Sequence, residues 1–427
     1  MNPVALVTRK HGSETVMMPG ETESVILCEP QCWGFEHSAF NAALLQTALI
    51  AYPDAEFVFM GEAEHLAGVR ELLARQGCSA HETVRWQEIR IPPRTLTGWR
   101  RLRSEVAWCR QVLKAVRSAQ VELLLICSIA ETGLLVLKSM LQTHRIPVPV
   151  IATLHGILAS VEHPQPRRPW NWATHLRQAL RLPHPRQLTY LALSDSIRAG
   201  VAEAMPRAAF HFRTIDAPYF MPGVTNASKP DGVIRFGHFG VARNYEKNFG
   251  LFARLAEEVG RYFDQSLAQF LAVGSLDPDV TSPGTPVMGL SRTPLSAEEY
   301  AQRAQSVTYA VGLADPSHYR LVASASFLDA LSHVKPGIYF RNPYLEYYFR
   351  KMGDIGYLCD SYEEVHDVVF SVIRNFPEAR YRQQCEKIQS GRRIFEPEVI
   401  APQLRAIVTG RRRALGKPQR DGFWPIR

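Results

Sequence analysis

Tyr309-Ala310-Val311-Gly312-Leu313, followed by Asp315-Pro316 and by Val322-Ala323-Ser324-Ala325-Ser326-Phe327-Leu328-Asp329-Ala330-Leu331, is the stretch from which the fold is read. A short apolar run closed by Gly, Asp and Pro suits a buried strand entering a loop. The following run combines good helix formers with two serines near its start, and Lys335-Pro336-Gly337 ends it before a second strand, Ile338-Tyr339-Phe340. In such a strand, loop, helix, strand unit the helix N-terminus aims unpaired N–H groups and the positive end of its dipole at the carboxyl edge of the sheet, where a phosphate or diphosphate fits. Ser324 and Ser326 are candidate phosphate contacts; the plainer reading makes Ser326 and Asp329 a capping-box variant.

The same alternation runs through the chain. Strand signals at Val25 to Cys28, Glu56 to Gly61, Val84 to Ile91, Val121 to Cys127, Val148 to Leu154 and Leu188 to Leu193 are separated by helical patterns, which predicts a mostly parallel sheet covered on both faces. Between Pro206 and Pro230 the pattern loosens around Pro218, Pro222, Gly223 and Asn226, as in a linker. A second series begins at Val233 to Gly240 and continues through a helix at Phe249 to Phe263, strands at Gln269 to Val273 and Val287 to Gly289, and a helix at Ala297 to Gln305. The expected division is a loose leader over 1–23, a first α/β domain over 24–220, a second over 221–395, and a terminal crossover helix with a frayed basic tail over 396–427.

Ligand sites of such sheets lie outside the carboxyl ends of the strands. On the first domain these positions hold Trp33-Gly34-Phe35-Glu36-His37, then Thr153-Leu154-His155-Gly156, then Ser194-Asp195-Ser196. Ser194 or Asp195 reads as the cap of the next helix, and Ser38 as the cap of the helix that follows His37. A lone His at a strand end is as readily a structural residue as a ligand-contacting one. On the second domain, Gly240, Arg243 and Lys247 follow the first strand at a helix entry, where two cations offer charge-assisted contacts to a diphosphate; solvated surface charges are the competing reading.

Taken together, these stretches resemble the GT-B glycosyltransferases, especially the family-4-like enzymes. The resemblance rests on Asp329 with His333-Val334-Lys335-Pro336 after it, on Gly240 with Arg243 and Lys247, on Thr153-Leu154-His155-Gly156, and on Gly353-Asp354-Ile355-Gly356-Tyr357-Leu358. It implies two Rossmann-like domains facing across a cleft. It also implies transfer of a sugar from a nucleotide-sugar donor to a saccharide or lipid-linked acceptor in polysaccharide or glycoconjugate biosynthesis. Asp329 would then hold the nucleotide ribose; Gly240, Arg243, Lys247, Ser324 and Ser326 would hold the diphosphate; and Glu36, His37 and His155 would contact the sugar or activate the acceptor, with Glu36 the base if the reaction inverts. No cofactor and no metal are implied. One departure stands out: eight residues before Asp329, where the family places its first acid, this sequence has Leu321. That position keeps open a non-catalytic nucleotide-sugar-binding scaffold, and a sugar-nucleotide epimerase is the other alternative. A dehydrogenase is disfavoured, since no Gly-x-Gly-x-x-Gly follows the first strand.

With 46% hydrophobic and 21% charged residues, the 427-residue chain has the composition of a folded globular protein. No apolar run approaches the ~20 residues of a membrane span, and no signal peptide is recognisable, so a cytoplasmic location is the default. The net charge of +8 points to an acidic partner. Basic residues gather in Trp99 to Arg103 with Arg110, Lys114 and Arg117, in Pro166 to Arg186, and in Arg411 to Arg413. None carries a nucleic-acid motif. Trp170 and Trp172 inside the second cluster suit an anionic membrane face, with a solvated basic loop the alternative. The seven cysteines are an odd, scattered set that reads as reduced thiols, and Cys28 and Cys32 lack partners at zinc-ligand spacing.

Overall fold

The computed structural model describes residues 23–144, 146–162, 168–223, 232–278, 280 and 286–416. Most of the expected leader, part of the second basic cluster, the centre of the linker with Asn226 and Pro230, and the last eleven residues lie outside that set. Two parallel sheets organise the chain. The first contains β1 (Ser24–Cys28), β2 (Glu56–Gly61), β3 (Arg85–Glu88), β4 (Val121–Ile126), β5 (Val150–Thr153), β6 (Leu188–Ala192) and β7 (Phe212–Thr214), in the order β3-β2-β1-β4-β5-β6-β7. The second contains β8 (Ile234–Phe239), β9 (Ala268–Val273), β10 (Val287–Met288), β11 (Tyr309–Gly312), β12 (Gly337–Phe340) and β13 (Gly356–Cys359), in the order β10-β9-β8-β11-β12-β13. In each, the order reverses beside the first strand, which leaves a crevice at the carboxyl edge there.

The central strands are apolar at nearly every position because helices cover both faces. Val25, Ile26, Leu27 and Cys28 are all buried, and Ile26 lies in register with Val58 on one side and Leu124 on the other. Loops after β5, β6 and β11 bring the two carboxyl edges face to face. Ala159, after β5, packs with Tyr319 and Val322, after β11. Arg320 reaches across to pair with Glu162 at 2.8 Å and with Glu203. Asp216, in the segment leaving β7, accepts hydrogen bonds from Tyr348 Oη and Lys351 Nζ, each at 2.8 Å, and so fastens the connection to the second lobe.

Several local expectations are corrected. Asn342-Pro343 followed by Tyr344, Tyr347 and Tyr348 reads in sequence as a turn with an aromatic cluster; the segment instead forms a helix at Pro343–Met352, with Asn342 accepting from the Leu345 N–H at 3.0 Å and Pro343 in the first turn. The loosened segment after Pro206 contains β7, which extends the first sheet. The terminal helix, Pro397–Ala414, does cross back and pack on the first lobe's Ser38–Ala51 helix, but the basic run at its end is no frayed tail. Arg411 donates to Thr189 Oγ1 at 2.9 Å, and Arg412 pairs with Glu23 at 3.0 Å and Glu122 at 2.5 Å.

Candidate functional site

In the second lobe, β8 runs into Gly240, whose φ of 80° is a conformation suited to glycine. A Cβ there would lie 2.7 Å from Lys247 Nζ, so a side chain would displace the ammonium from this turn. The Lys247 side chain folds back over this turn and donates to the Phe239 carbonyl at 3.3 Å. Asn248, also left-handed at φ 49°, starts the Phe249–Gly260 helix and donates to the Leu313 carbonyl at 2.9 Å, tying the turn after β8 to the loop after β11. Lys247, His238, Tyr339 and Ser326 therefore line one recess of about 20 Å³, room for about one water molecule. Burial lowers the Lys247 pKa to about 8. His238 is buried with Nε2 unpartnered, and burial, with the Lys247 charge second, holds it neutral at a pKa of about 3.

The helix that closes the recess is Ala325–Ser332, one turn shorter at its start than expected. Its cap is Ser324, which accepts from the Phe327 N–H at 3.3 Å and sits 3.2 Å from Ser326 Oγ, so the capping box of Ser326 with Asp329 does not form. Asp329 is half-buried: its carboxylate accepts from Tyr219 Oη, which belongs to the segment between the lobes, and from Tyr300 Oη at 2.8 Å. Burial raises its pKa, against the pull of the two hydroxyls and Lys247. Arg243 lies near Lys247 but is engaged by Glu246 of its own loop at 3.4 Å and by Asp277, after β9, at 3.1 Å.

Leu321, at the family's acid position, is fully buried at the lobe contact. A Cβ on Gly200 of the Asp195–Ala204 helix would stand 2.5 Å from Leu321 Cδ2, so this side chain packs tightly into the contact between the lobes.

On the first lobe, His155 stacks on Phe40 at 5.3 Å and meets His37 edge-on at 4.5 Å. Its Nδ1 is buried without a partner, and burial pushes its pKa well down. His37 itself has φ 50° and is the N-cap residue of the Ser38–Ala51 helix; no side chain caps that end, and Ser38 Oγ instead donates to the Phe35 carbonyl at 2.9 Å. A bulky residue held left-handed is uncommon and collects at functional sites. Glu36 is paired with Arg94 on the rim. Ser194, as expected, caps the next helix through the Ser196 N–H at 3.1 Å. Sequence reading passed over Glu29, the residue after β1. It is fully buried and accepts from Ser128 Oγ at 2.6 Å, Asn41 Nδ2 at 2.9 Å, and the Gln31 and Cys32 N–H groups at 2.9 and 3.1 Å.

A larger recess, about 520 Å³, lies along β13, away from these groups; its Arg341 and Arg380 are already paired with Asp360 and Asp354. Among the described residues no group of three or more His, Cys, Asp or Glu is placed to hold a metal, all seven cysteines are free, and no helix is long and apolar enough to cross a membrane.

No family model and no curated protein matches the sequence. Solved structures do. HepE of Anabaena, solved with UDP and glucose, superposes with a TM-score of 0.61 over 91% of this chain and 99% of its own, at 13% identity. Sucrose-phosphate synthase of Thermosynechococcus elongatus gives 0.62 over 91% and 98%, at 14% identity. A UDP-forming α,α-trehalose-phosphate synthase of Burkholderia vietnamiensis gives 0.62 over 93% and 100%, at 10% identity. The architecture of two Rossmann-like domains facing across a cleft is thus the GT-B glycosyltransferase fold.

Proposed function

We propose that this GT-B protein is a glycosyltransferase that takes a sugar from a nucleotide-sugar donor and passes it to a saccharide or lipid-linked acceptor without a metal. The observation that carries the reading is the meeting of the Lys247 ammonium with the start of the Ala325–Ser332 helix in one recess at the crevice edge of the second sheet. A diphosphate lying over the mouth of this recess, which itself holds no more than a water, would gain a cation, helix N–H groups and the Gly240 turn, and these would neutralise charge as the nucleotide departs. Arg243 adds positive potential from behind its two carboxylates. Asp329 is proposed to face the ribose; its oxygens would share that contact with Tyr219 and Tyr300. His37 and His155, on the opposing edge, face the sugar and the acceptor, and Glu36 sits at the rim with them. UDP bound to HepE supports a nucleoside diphosphate as the leaving group. For a lipid-linked acceptor the support is modest: Trp99, 71% exposed, and Trp172, 47% exposed, sit among basic residues of the first lobe.

Release of nucleoside diphosphate from a panel of nucleotide sugars without acceptor tests the reading. Slow hydrolysis of one donor, lost in Lys247→Ala, is expected; full activity in that variant overturns the diphosphate assignment. One observation favours a second reading. Leu321 removes the usual acid and is committed to the lobe contact, which suits a nucleotide-sugar-binding scaffold; thermal stabilisation by a donor with no turnover would select it. Interconversion of sugars in the same panel would instead indicate an epimerase.

A further inference from the structure

Between the buried Glu29 and the cleft-facing His37 runs a chain of hydrogen bonds whose direction is set at its buried end. A carboxylate only accepts, and Glu29 has no Lys or Arg partner among the described residues. Ser128 Oγ, 2.6 Å from Glu29 Oε1, must therefore spend its proton there. The Ser128 oxygen can then only accept, which offers an acceptor to the thiol of Cys32, whose sulfur lies 3.7 Å away. With its own proton so committed, the Cys32 sulfur accepts from His37 Nδ1 at 3.5 Å. With the thiol proton on Ser128, the ring proton of a neutral His37 belongs on Nδ1, and Nε2 is left with a bare lone pair.

We infer that Glu29, acting through Ser128 and Cys32, fixes His37 in the Nδ1–H tautomer and so presents Nε2 to the cleft as the acceptor of a hydrogen bond from a saccharide hydroxyl. The saccharide part of this inference rests on the function proposed above; the tautomer does not. Glu29 is a positioning residue in this scheme, and His37 is the residue that touches substrate. Geometry supports the orientation independently, since the backbone at His37 is held left-handed and its ring is steadied by the edge contact with His155. Around the ring stand Glu29, Glu36 with its partner Arg94, His65, His155 and the Cys32 thiol; desolvation is the largest influence and lowers the His37 pKa, so the ring stays neutral near pH 7.

The test is a two-bond proton–nitrogen NMR spectrum of the full chain labelled with ¹⁵N-histidine, with His37 assigned by its disappearance in His37→Gln. Nδ1–H is expected in the native protein, a mixture of tautomers in Cys32→Ala and in Ser128→Ala, and return of Nδ1–H in Cys32→Ser. An Nε2–H ring in the native protein, or no change of tautomer in both alanine variants, overturns the inference. Turnover of the donor found in the release panel should fall about tenfold in kcat/KM in Cys32→Ala, the effect of ~1.4 kcal/mol, and recover partly in Cys32→Ser. UDP titration of the same variants keeps the two levels apart: a native protein that binds no nucleoside diphosphate defeats the proposed function, whereas the NMR result alone decides the tautomer.

Discussion

If the proposed function holds, binding of a nucleoside diphosphate such as UDP should be accompanied by proton uptake, and the amount follows from Lys247. Its ammonium is drawn down from the ordinary 10.5 to about 8 by burial, so at pH 8 half of the molecules carry a neutral amine. A diphosphate held over this ammonium favours the charged form and restores the usual value. Uptake at Lys247 should then be roughly 0.1 proton per UDP at pH 7, about 0.5 at pH 8 and about 0.75 at pH 8.5, with affinity weakening about tenfold between pH 7 and pH 9. Calorimetric titration in buffers of differing ionisation enthalpy measures the uptake. The same titrations on Lys247→Met cancel protons that belong to the nucleotide or to other groups. Equal uptake in native protein and variant at pH 8 would refute the placement of the diphosphate against this ammonium.

The same lysine makes a prediction about stability. Because its folded pKa lies below its unfolded one, the ligand-free fold bears a penalty that is complete below about pH 8 and relieved as pH rises toward 10.5; the shift corresponds to ~3 kcal/mol. Lys247→Met should therefore raise the thermal midpoint by a few degrees at pH 7, and the gain should shrink above pH 9; a lowered midpoint at pH 7 contradicts this. Leu321→Glu, which restores the family's acid, should instead lower the midpoint without raising turnover, because it buries a carboxylate against Gly200 at a cost of about 3 kcal/mol or more. An active, equally stable variant would show that the lobes open at this contact. Arg412→Ala should cost about 2 kcal/mol in urea denaturation, since it leaves Glu23 and Glu122 facing each other without their shared cation.

How far these features could be read from sequence depended on whether their signals were local. The strand, loop, helix, strand unit at Tyr309 to Phe340 was legible because apolar runs and their Gly, Pro and Asp boundaries are contiguous. Gly240 with Lys247 was legible for the same reason. The helix at Pro343–Met352 was missed although its signals were present: Asn342 and Pro343 are a cap and a first-turn proline, and Tyr344 and Tyr348 lie one turn apart. Aromatic content suggested a turn-bound cluster and masked that periodicity. Ser324 took the cap in place of Ser326 because the loop from Leu321 is pinned at the lobe contact, which no local pattern announces. Glu29 was invisible for a deeper reason. Its donors include Ser128, 99 residues away, so in sequence it looks like any polar residue after a strand. Likewise Asp329 was found through the resemblance to the GT-B enzymes, but its Tyr219 partner comes from the segment between the lobes, 110 residues earlier.

The most direct test of the account is a crystal structure of the protein soaked with UDP. The diphosphate is expected within hydrogen-bond reach of Lys247 Nζ and the N–H groups that open the Ala325–Ser332 helix, with the ribose toward Asp329. UDP seated elsewhere, in the recess along β13 for example, or with its phosphates turned away from Lys247, would contradict it.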